Sequence, residues 1–179
     1  MIGKTFFAGI GLAVAMLAAP VAQAAVDISH PAQALDFLDG TTDFGSSFTN
    51  NQKNNFFADQ FTFSIAAPQV MESFLSSISS SASNGLTITD FAVRNAGGVV
   101  GQGVQESTGT IDLWSIYGVT LTPGSYFLQV NGYVNANTGA SFGANVNLTP
   151  VPEPETWAMM LGGLSVLGAL ARRRQRMAA

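Results

Sequence analysis

The sequence contains no cysteine, so no disulfide can staple it and no thiolate can hold a metal. It has one histidine, His30, directly before Pro31. One imidazole without cysteine does not make a zinc site, and a Ser-His-Asp triad would have to use that one residue. There is no G-x-S-x-G, and neither Gly97-Gly98 nor Gly101-x-Gly103 leads into a lysine and helix as a phosphate loop must. Basic side chains are scarce too. Between residues 25 and 150 only Lys53 and Arg94 stand against Asp27, Asp36, Asp39, Asp43, Asp59, Glu72, Asp90, Glu106 and Asp112. Binding to phosphate backbones needs lysine and arginine, which argues against nucleic acid as a partner. Internal repeats and coiled-coil heptads are also missing. What charge there is outside this middle region collects at the two ends, beside apolar runs.

At the N-terminus, Lys4 precedes an apolar stretch from Phe6 to Ala19, then Pro20 and Ala22-Gln23-Ala24. This is the order of a secretory signal peptide: a positive end, an apolar centre and an A-x-A site. Residues 1–24 are expected to form the signal-peptide helix, and signal peptidase is expected to cut after Ala24. At the other end, Trp157 to Ala171 carries no charge and is followed by Arg172, Arg173, Arg174 and Arg176. As a helix this run reaches roughly 22 Å at about 1.5 Å per residue. A bilayer core of about 30 Å usually takes about 20 apolar residues, so the span is short. Arginines that snorkel to the headgroups can make up the difference. A basic cluster stays cytoplasmic and would leave the preceding chain outside the inner membrane. Trp157 stands where an interfacial aromatic belongs.

Val151-Pro152-Glu153-Pro154, the apolar run with Trp157, and Arg172, Arg173 and Arg174, in that order, resemble the PEP-CTERM sorting signal of Gram-negative bacteria. The resemblance implies processing by an exosortase, a transient inner-membrane anchor, and final residence at the cell surface or in a secreted exopolysaccharide matrix or biofilm. Phe57-x-Asp59-x-Phe61, together with both end signals, resembles the FxDxF subgroup of these proteins. That subgroup implies an exported domain and assigns it no biochemical activity.

Residues 25–150 remain between the signals, enough for one core. Phe57 to Ile65 alternates strictly: Phe57, Phe61, Phe63 and Ile65 on one face, Ala58, Gln60, Thr62 and Ser64 on the other. This is a half-buried strand. Asp59 falls on the apolar face, where an ionised carboxylate must be paired, hydrogen-bonded or metal-bound. Backbone N–H groups of a nearby turn are the favoured partner, with calcium as an alternative ligand. Asp39-Gly40 signals a turn with a return strand at Asp43–Phe48. The serine-rich stretch from Ser76 to Ser83 has little to bury beyond Ile78, which puts the strand Val70–Ser80 at a sheet edge or ends it in a long loop. Leu86 and Ile88 alternate, and Phe91 and Val93 then shift phase, which predicts a bulge near Asp90. Pro123-Gly124 turns into a strand with Tyr126, Leu128 and Val130 on one face. That stretch is similar to secreted β-sandwich modules such as bacterial pre-peptidase C-terminal domains. Phe142, Ala144, Val146 and Leu148 mark a final strand, and Pro150, Pro152 and Pro154 a stiff linker. About nine short strands and no helix beyond a turn predict an all-β, jelly-roll-like β-sandwich. It would be flanked by the signal-peptide helix and a C-terminal transmembrane helix over part of residues 151–179.

No catalytic residue and no cofactor beyond possible calcium at Asp59 is assigned, and the chain reads as a non-enzyme. Asp59, Asp90 and Asp112 could serve a hydrolase only if the fold brought two of them together. Two functions remain: a structural matrix protein, and a module that binds exopolysaccharide through exposed aromatics. Trp114, Tyr117, Tyr126 and Tyr133 are the candidate platform, with core packing the favoured role for each.

Overall fold

A computed structural model describes residues 24–81, 84–151 and 154–177. The expected signal-peptide helix lies outside the described residues as far as residue 23, as do Pro152 and Glu153. Ten strands form: β1 Gln33–Ala34, β2 Thr41–Phe48, β3 Phe56–Ile65, β4 Gln69–Ile78, β5 Leu86–Asn95, β6 Gly98–Gln102, β7 Val104–Ser107, β8 Ile111–Leu121, β9 Gly124–Val134 and β10 Ala140–Pro150. One helix follows, α1 Pro154–Met177. The strands make two five-stranded sheets, ordered β1-β3-β9-β5-β6 and β2-β10-β4-β8-β7. All pairings between the named strands are antiparallel except the short β1–β3 contact.

The alternation read in β3 is present residue for residue. Phe57, Phe61, Phe63 and Ile65 are buried, while Ala58, Gln60 and Thr62 are half-buried on the outer face. The buried rings cross to the second sheet. Phe57 lies 4.4 Å from Phe48 and 5.8 Å from Phe142, and Phe61 lies 4.6 Å from Phe44, centroid to centroid. These contacts join the sheets over one core that also takes Leu75, Ile116, Leu128 and Val146. Each such side chain contributes about 1.5–3 kcal/mol relative to exposure.

Local turn chemistry sets the connections. Asp39 and Gly40 both have positive φ, 51° and 80°, and Leu38 and Thr41 exchange two backbone hydrogen bonds around them. This is the two-residue turn that an Asp-Gly pair favours. Gly103 lies where the chain leaves β6 in one sheet for β7 in the other. A Cβ there would meet the Phe91 carbonyl at 2.6 Å, so no larger residue fits the crossing. Pro123 likewise ends a crossing rather than a hairpin, since β8 and β9 belong to different sheets. The Tyr126 hydroxyl clasps that crossing by donating to the Thr122 carbonyl at 2.8 Å. The predicted bulge is present as a register shift between Ile88 and Asp90.

Two expectations need correction. The serine-rich strand is not at an edge: β4 lies between β10 and β8, at the centre of its sheet. Ile78, expected to be its buried residue, is 77% exposed. The inward positions are Met71, Ser73, Leu75 and Ser77, all buried. The two serines fit because each hydroxyl donates to a carbonyl of β10, Ser73 to Asn145 at 2.5 Å and Ser77 to Ser141 at 2.9 Å. A small side chain with a satisfied hydroxyl is as compatible with a core as an apolar one. Seven residues separate the end of β4 at Ile78 from the start of β5 at Leu86. The C-terminal helix also differs. It starts at Pro154, so that proline opens the helix instead of extending the linker. Among the described residues, no helix is long and apolar enough to cross a membrane. The reason is that the uncharged run from Trp157 to Ala171 stops at Arg172.

Candidate functional site

Three groups of residues were candidates: the Phe57-Asp59-Phe61 motif, the exposed-aromatic set and the C-terminal tail. The structure separates them.

The motif is a core element with a polar insertion. Phe57, Asp59 and Phe61 are each 1% exposed. Asp59 meets the segment before β1, which runs parallel to β3 along its outer edge. Ile28 N–H donates to the Phe56 carbonyl at 2.9 Å, and Leu35 N–H donates to the Thr62 carbonyl at 2.8 Å. Between these points Pro31 has no N–H to give, and the residue before a proline is held extended. Side chains take over the missing rungs. Ala58 N–H donates to the Ser29 hydroxyl at 2.8 Å. His30 N–H donates to Asp59 Oδ1 at 2.7 Å, and His30 Nδ1 lies 3.0 Å from Asp59 Oδ2. The His30 ring also rests 5.2 Å from Phe48, whose own ring packs on Phe57. Asp59 is thus held by a backbone N–H, as expected, but the donor comes from a docked edge segment and not from a turn. The single histidine completes the arrangement. Both carboxylate oxygens have protein partners, and among the described residues no group of three or more His, Asp or Glu side chains could hold a metal ion.

Asp27 opens the docked segment. The Ser29 hydroxyl and then the Ser29 N–H donate to its Oδ1 at 2.5 and 2.9 Å, and they hold its carboxyl below the ordinary 3.8. The same Ser29 hydroxyl accepts from Ala58, so Asp27, Ser29 and β3 form one hydrogen-bonded chain.

The aromatic set divides. Trp114 and Tyr126 are buried, at 8% and 6% exposure, and belong to the core. Trp114 Nε1 is shielded from solvent without an acceptor among the described residues. For these two the structure gives core packing, the role favoured for them from the sequence, and not the platform. Tyr117 and Tyr133 are exposed. Tyr117 packs against Phe74 at 5.1 Å on the outer face of β8 and β4. Tyr133 stands on the outer face of β9, directly opposite Phe56 on β3.

Sequence reading missed a polar network beside Tyr133. Asp90 Oδ2 accepts from Arg94 Nη2 at 3.0 Å and from Asn131 Nδ2 at 3.2 Å, while Asp90 Oδ1 accepts from Gln102 Nε2 at 2.6 Å. Gln129 Nε2 donates to Asn131 Oδ1 at 2.8 Å. The network spans β5, β6 and β9, and only the outward position of Gln129 in its strand hinted at it. Asp112, the third acid considered for hydrolysis, lies buried elsewhere and accepts from the Ile88 N–H at 2.9 Å. No two of Asp59, Asp90 and Asp112 are hydrogen-bonded to each other or to a common group.

In the tail, Val151 N–H donates to the Pro68 carbonyl at 3.1 Å. Pro154 begins α1, and the side chains of Trp157, Arg172 and Arg173 are exposed. Arg174 lies within the same helix. Met159, Leu161, Leu164, Val166 and Leu167 are between 58% and 78% exposed, so the helix carries its apolar side chains unburied.

No curated protein matches the sequence. Solved structures similar to this chain include the following two. The pre-peptidase C-terminal domain of collagenase from Bacillus anthracis has 15% identity and a TM-score of 0.39, covering 65% of this chain and 95% of that one. PliG from Aeromonas hydrophila, a periplasmic inhibitor of g-type lysozyme, has 16% identity and a TM-score of 0.42, covering 69% of this chain and 100% of that one. Residues 150–175 match the family model of the PEP-CTERM protein-sorting motif, which marks an exported protein with exosortase as its processing partner.

Proposed function

We propose that this chain is a non-enzymatic matrix protein of the bacterial cell surface, of the FxDxF subgroup. On this reading signal peptidase cuts after Ala24 and residues 25–150 fold outside the inner membrane. The C-terminal helix holds the protein in that membrane, with Arg172, Arg173 and Arg174 cytoplasmic, until exosortase acts at the Pro152-Glu153-Pro154 motif. The mature domain then stays in exopolysaccharide or biofilm. The observation that carries the reading is the sorting-motif match at residues 150–175, which takes in most of α1, a helix with unburied apolar side chains. That helix is shorter in apolar length than a bilayer, so the anchor depends on snorkelling arginines and suits a transient role. The nesting of the strand pairs β2–β10, β3–β9, β4–β8 and β5–β6 supports reading the sandwich as jelly-roll-like. Replacing Pro152, Glu153 and Pro154 by alanine should leave the chain in the inner-membrane fraction, followed by fractionation and immunoblotting. Normal release of that variant to the surface or medium would overturn the sorting proposal.

A second reading, a carbohydrate-binding domain for exopolysaccharide, is favoured by one feature: Tyr133 and Phe56 lie exposed and opposite each other beside the Asp90 network. Calcium is not needed for either reading.

A further inference from the structure

The outer face of the β1-β3-β9-β5-β6 sheet combines three features that lie far apart in the sequence. At one end Tyr133 and Phe56 are 40% and 45% exposed. In the middle, Asp90, Arg94, Gln102, Gln129 and Asn131 are fixed to one another by the hydrogen bonds described above. At the other end, an open cleft of about 800 Å³ lies between the docked segment at Leu35–Phe37 and the residues Thr62, Ser125 and Phe127. All three features follow one line, the outward row Phe127, Gln129, Asn131 and Tyr133 of β9. Its ends are six residue steps apart along the strand, about 20 Å.

We propose that this face binds a neutral polysaccharide chain laid along β9, from Tyr133 to the cleft beside Phe127. The inference rests on the carbohydrate-binding reading above and gives it a place and a ligand class. The chemistry is that of sugar recognition. An exposed aromatic ring offers a flat apolar surface to the C–H face of a pyranose. Amides, a carboxylate and a guanidinium offer donors and acceptors to its hydroxyls. Capacity remains on the two β9 amides: Gln129 Nε2 and Asn131 Nδ2 each donate one bond within the network and keep a second N–H, and Gln129 Oε1 and Gln102 Oε1 accept none among the described residues, while Gln102 Nε2 spends both of its N–H groups on Asp90 Oδ1 and the Phe91 carbonyl. Because the network is already held together, little side-chain freedom is lost on binding. Charge selects the class. Asp90 is neutralised by Arg94, and the remaining exported chain has eight acids and Lys53 as its other cation, so an acidic polysaccharide is repelled. The other exposed aromatic pair, Phe74 and Tyr117, lies on the opposite sheet without such a network and serves as the control.

The test is affinity electrophoresis of the full-length chain in detergent through gels cast with hydroxyethylcellulose, dextran, xyloglucan or alginate. At least one of the three neutral polymers should retard the protein, and alginate should not. Tyr133→Ala and Gln129→Ala should each weaken that retardation about tenfold, Tyr133→Phe should retain most of it, and Tyr117→Ala should leave it unchanged. If Tyr133→Ala melts early, Gln129→Ala on the outer surface carries the decision. Retardation by no neutral polymer, or preference for alginate, overturns both the site and the carbohydrate reading. Retardation that survives both Tyr133→Ala and Gln129→Ala, or is lost in Tyr117→Ala alone, overturns the site and leaves the carbohydrate reading standing. The membrane-retention assay involves residues 152–154 only, so its outcome is independent of this one.

Discussion

Replacing Asp59 by alanine tests whether the motif aspartate is a fastener. Two interactions disappear: the 2.7 Å bond from His30 N–H and the 3.0 Å contact with His30 Nδ1. A hydrogen bond to a charged group contributes about 1.5–3 kcal/mol. The backbone bond takes that range. The ring contact is discounted, because the His30 side chain is 45% exposed and water competes for it. Against these losses, alanine removes a carboxylate that is 1% exposed and whose desolvation opposes folding. The net loss should be about 2 kcal/mol, or roughly 8 °C of melting temperature for a domain of this size. Asp59→Asn keeps an acceptor for His30 N–H and should lose about half as much. The assay is thermal denaturation of the full chain in detergent, followed by circular dichroism, with hydrogen exchange at single amides. Exchange gives the location: Ile28 and Leu35, which donate across to β3, should lose protection in Asp59→Ala before the β3–β9 amides do. An Asp59→Ala protein that melts within a degree of wild type, with Ile28 protection unchanged, would refute the fastener. Calcium provides a second check. Both carboxylate oxygens already have His30 as partner, so melting should be the same in calcium and in EDTA. Stabilisation of wild type but not of Asp59→Ala by calcium would make the residue a metal ligand instead.

Two further outcomes follow from single residues. Among the described residues Trp114 Nε1–H is buried without an acceptor, at a cost of about 1–3 kcal/mol that phenylalanine would avoid. Trp114→Phe should therefore stay within about 1.5 kcal/mol of wild type in urea denaturation, whereas Trp114→Ala should lose about 3–5 kcal/mol; equal losses would mean the indole N–H is partnered. Asp27 should titrate below 3.8 by NMR, and Ser29→Ala should raise that midpoint. Its folded value lies below its unfolded one, so its contribution to stability is complete above the unfolded value and is lost as pH falls through the folded one. A midpoint unmoved by Ser29→Ala would assign the shift to something else.

Strand faces were legible where one residue type alternated with another. The faces of β3, β9 and β10, the Asp39-Gly40 turn and the bulge before Asp90 all follow from spacing along one stretch of chain. What was not legible depended on residues far away. Ser73 and Ser77 look polar in isolation and fit the core only because β10 brings two carbonyls within reach. Nothing near His30 in the sequence points to a partner for it, and only the parallel docking on β3 brings it to Asp59. The polar network on the outer face needs β5, β6 and β9 side by side, which no local pattern encodes. The address in the tail was legible for the opposite reason. A sorting signal is read as a linear segment, so its chemistry must be contiguous.

The same contrast bears on what the Phe57-Asp59-Phe61 motif does. Two fully buried phenylalanines flanking a fully buried aspartate are unsuited to meet a ligand from solution, since none of the three reaches the surface. Their work is internal. The rings join the two sheets, and the carboxylate secures the segment that covers the outer edge of β3. Without that segment, a ten-residue, phenylalanine-rich strand would present unpaired N–H and carbonyl groups to any neighbouring chain. On the matrix reading proposed above, a concentrated protein is exposed to such edge pairing more than a dilute one. The motif therefore protects the fold against edge pairing, and on the carbohydrate reading recognition falls to residues that do reach water, such as the outward row of β9.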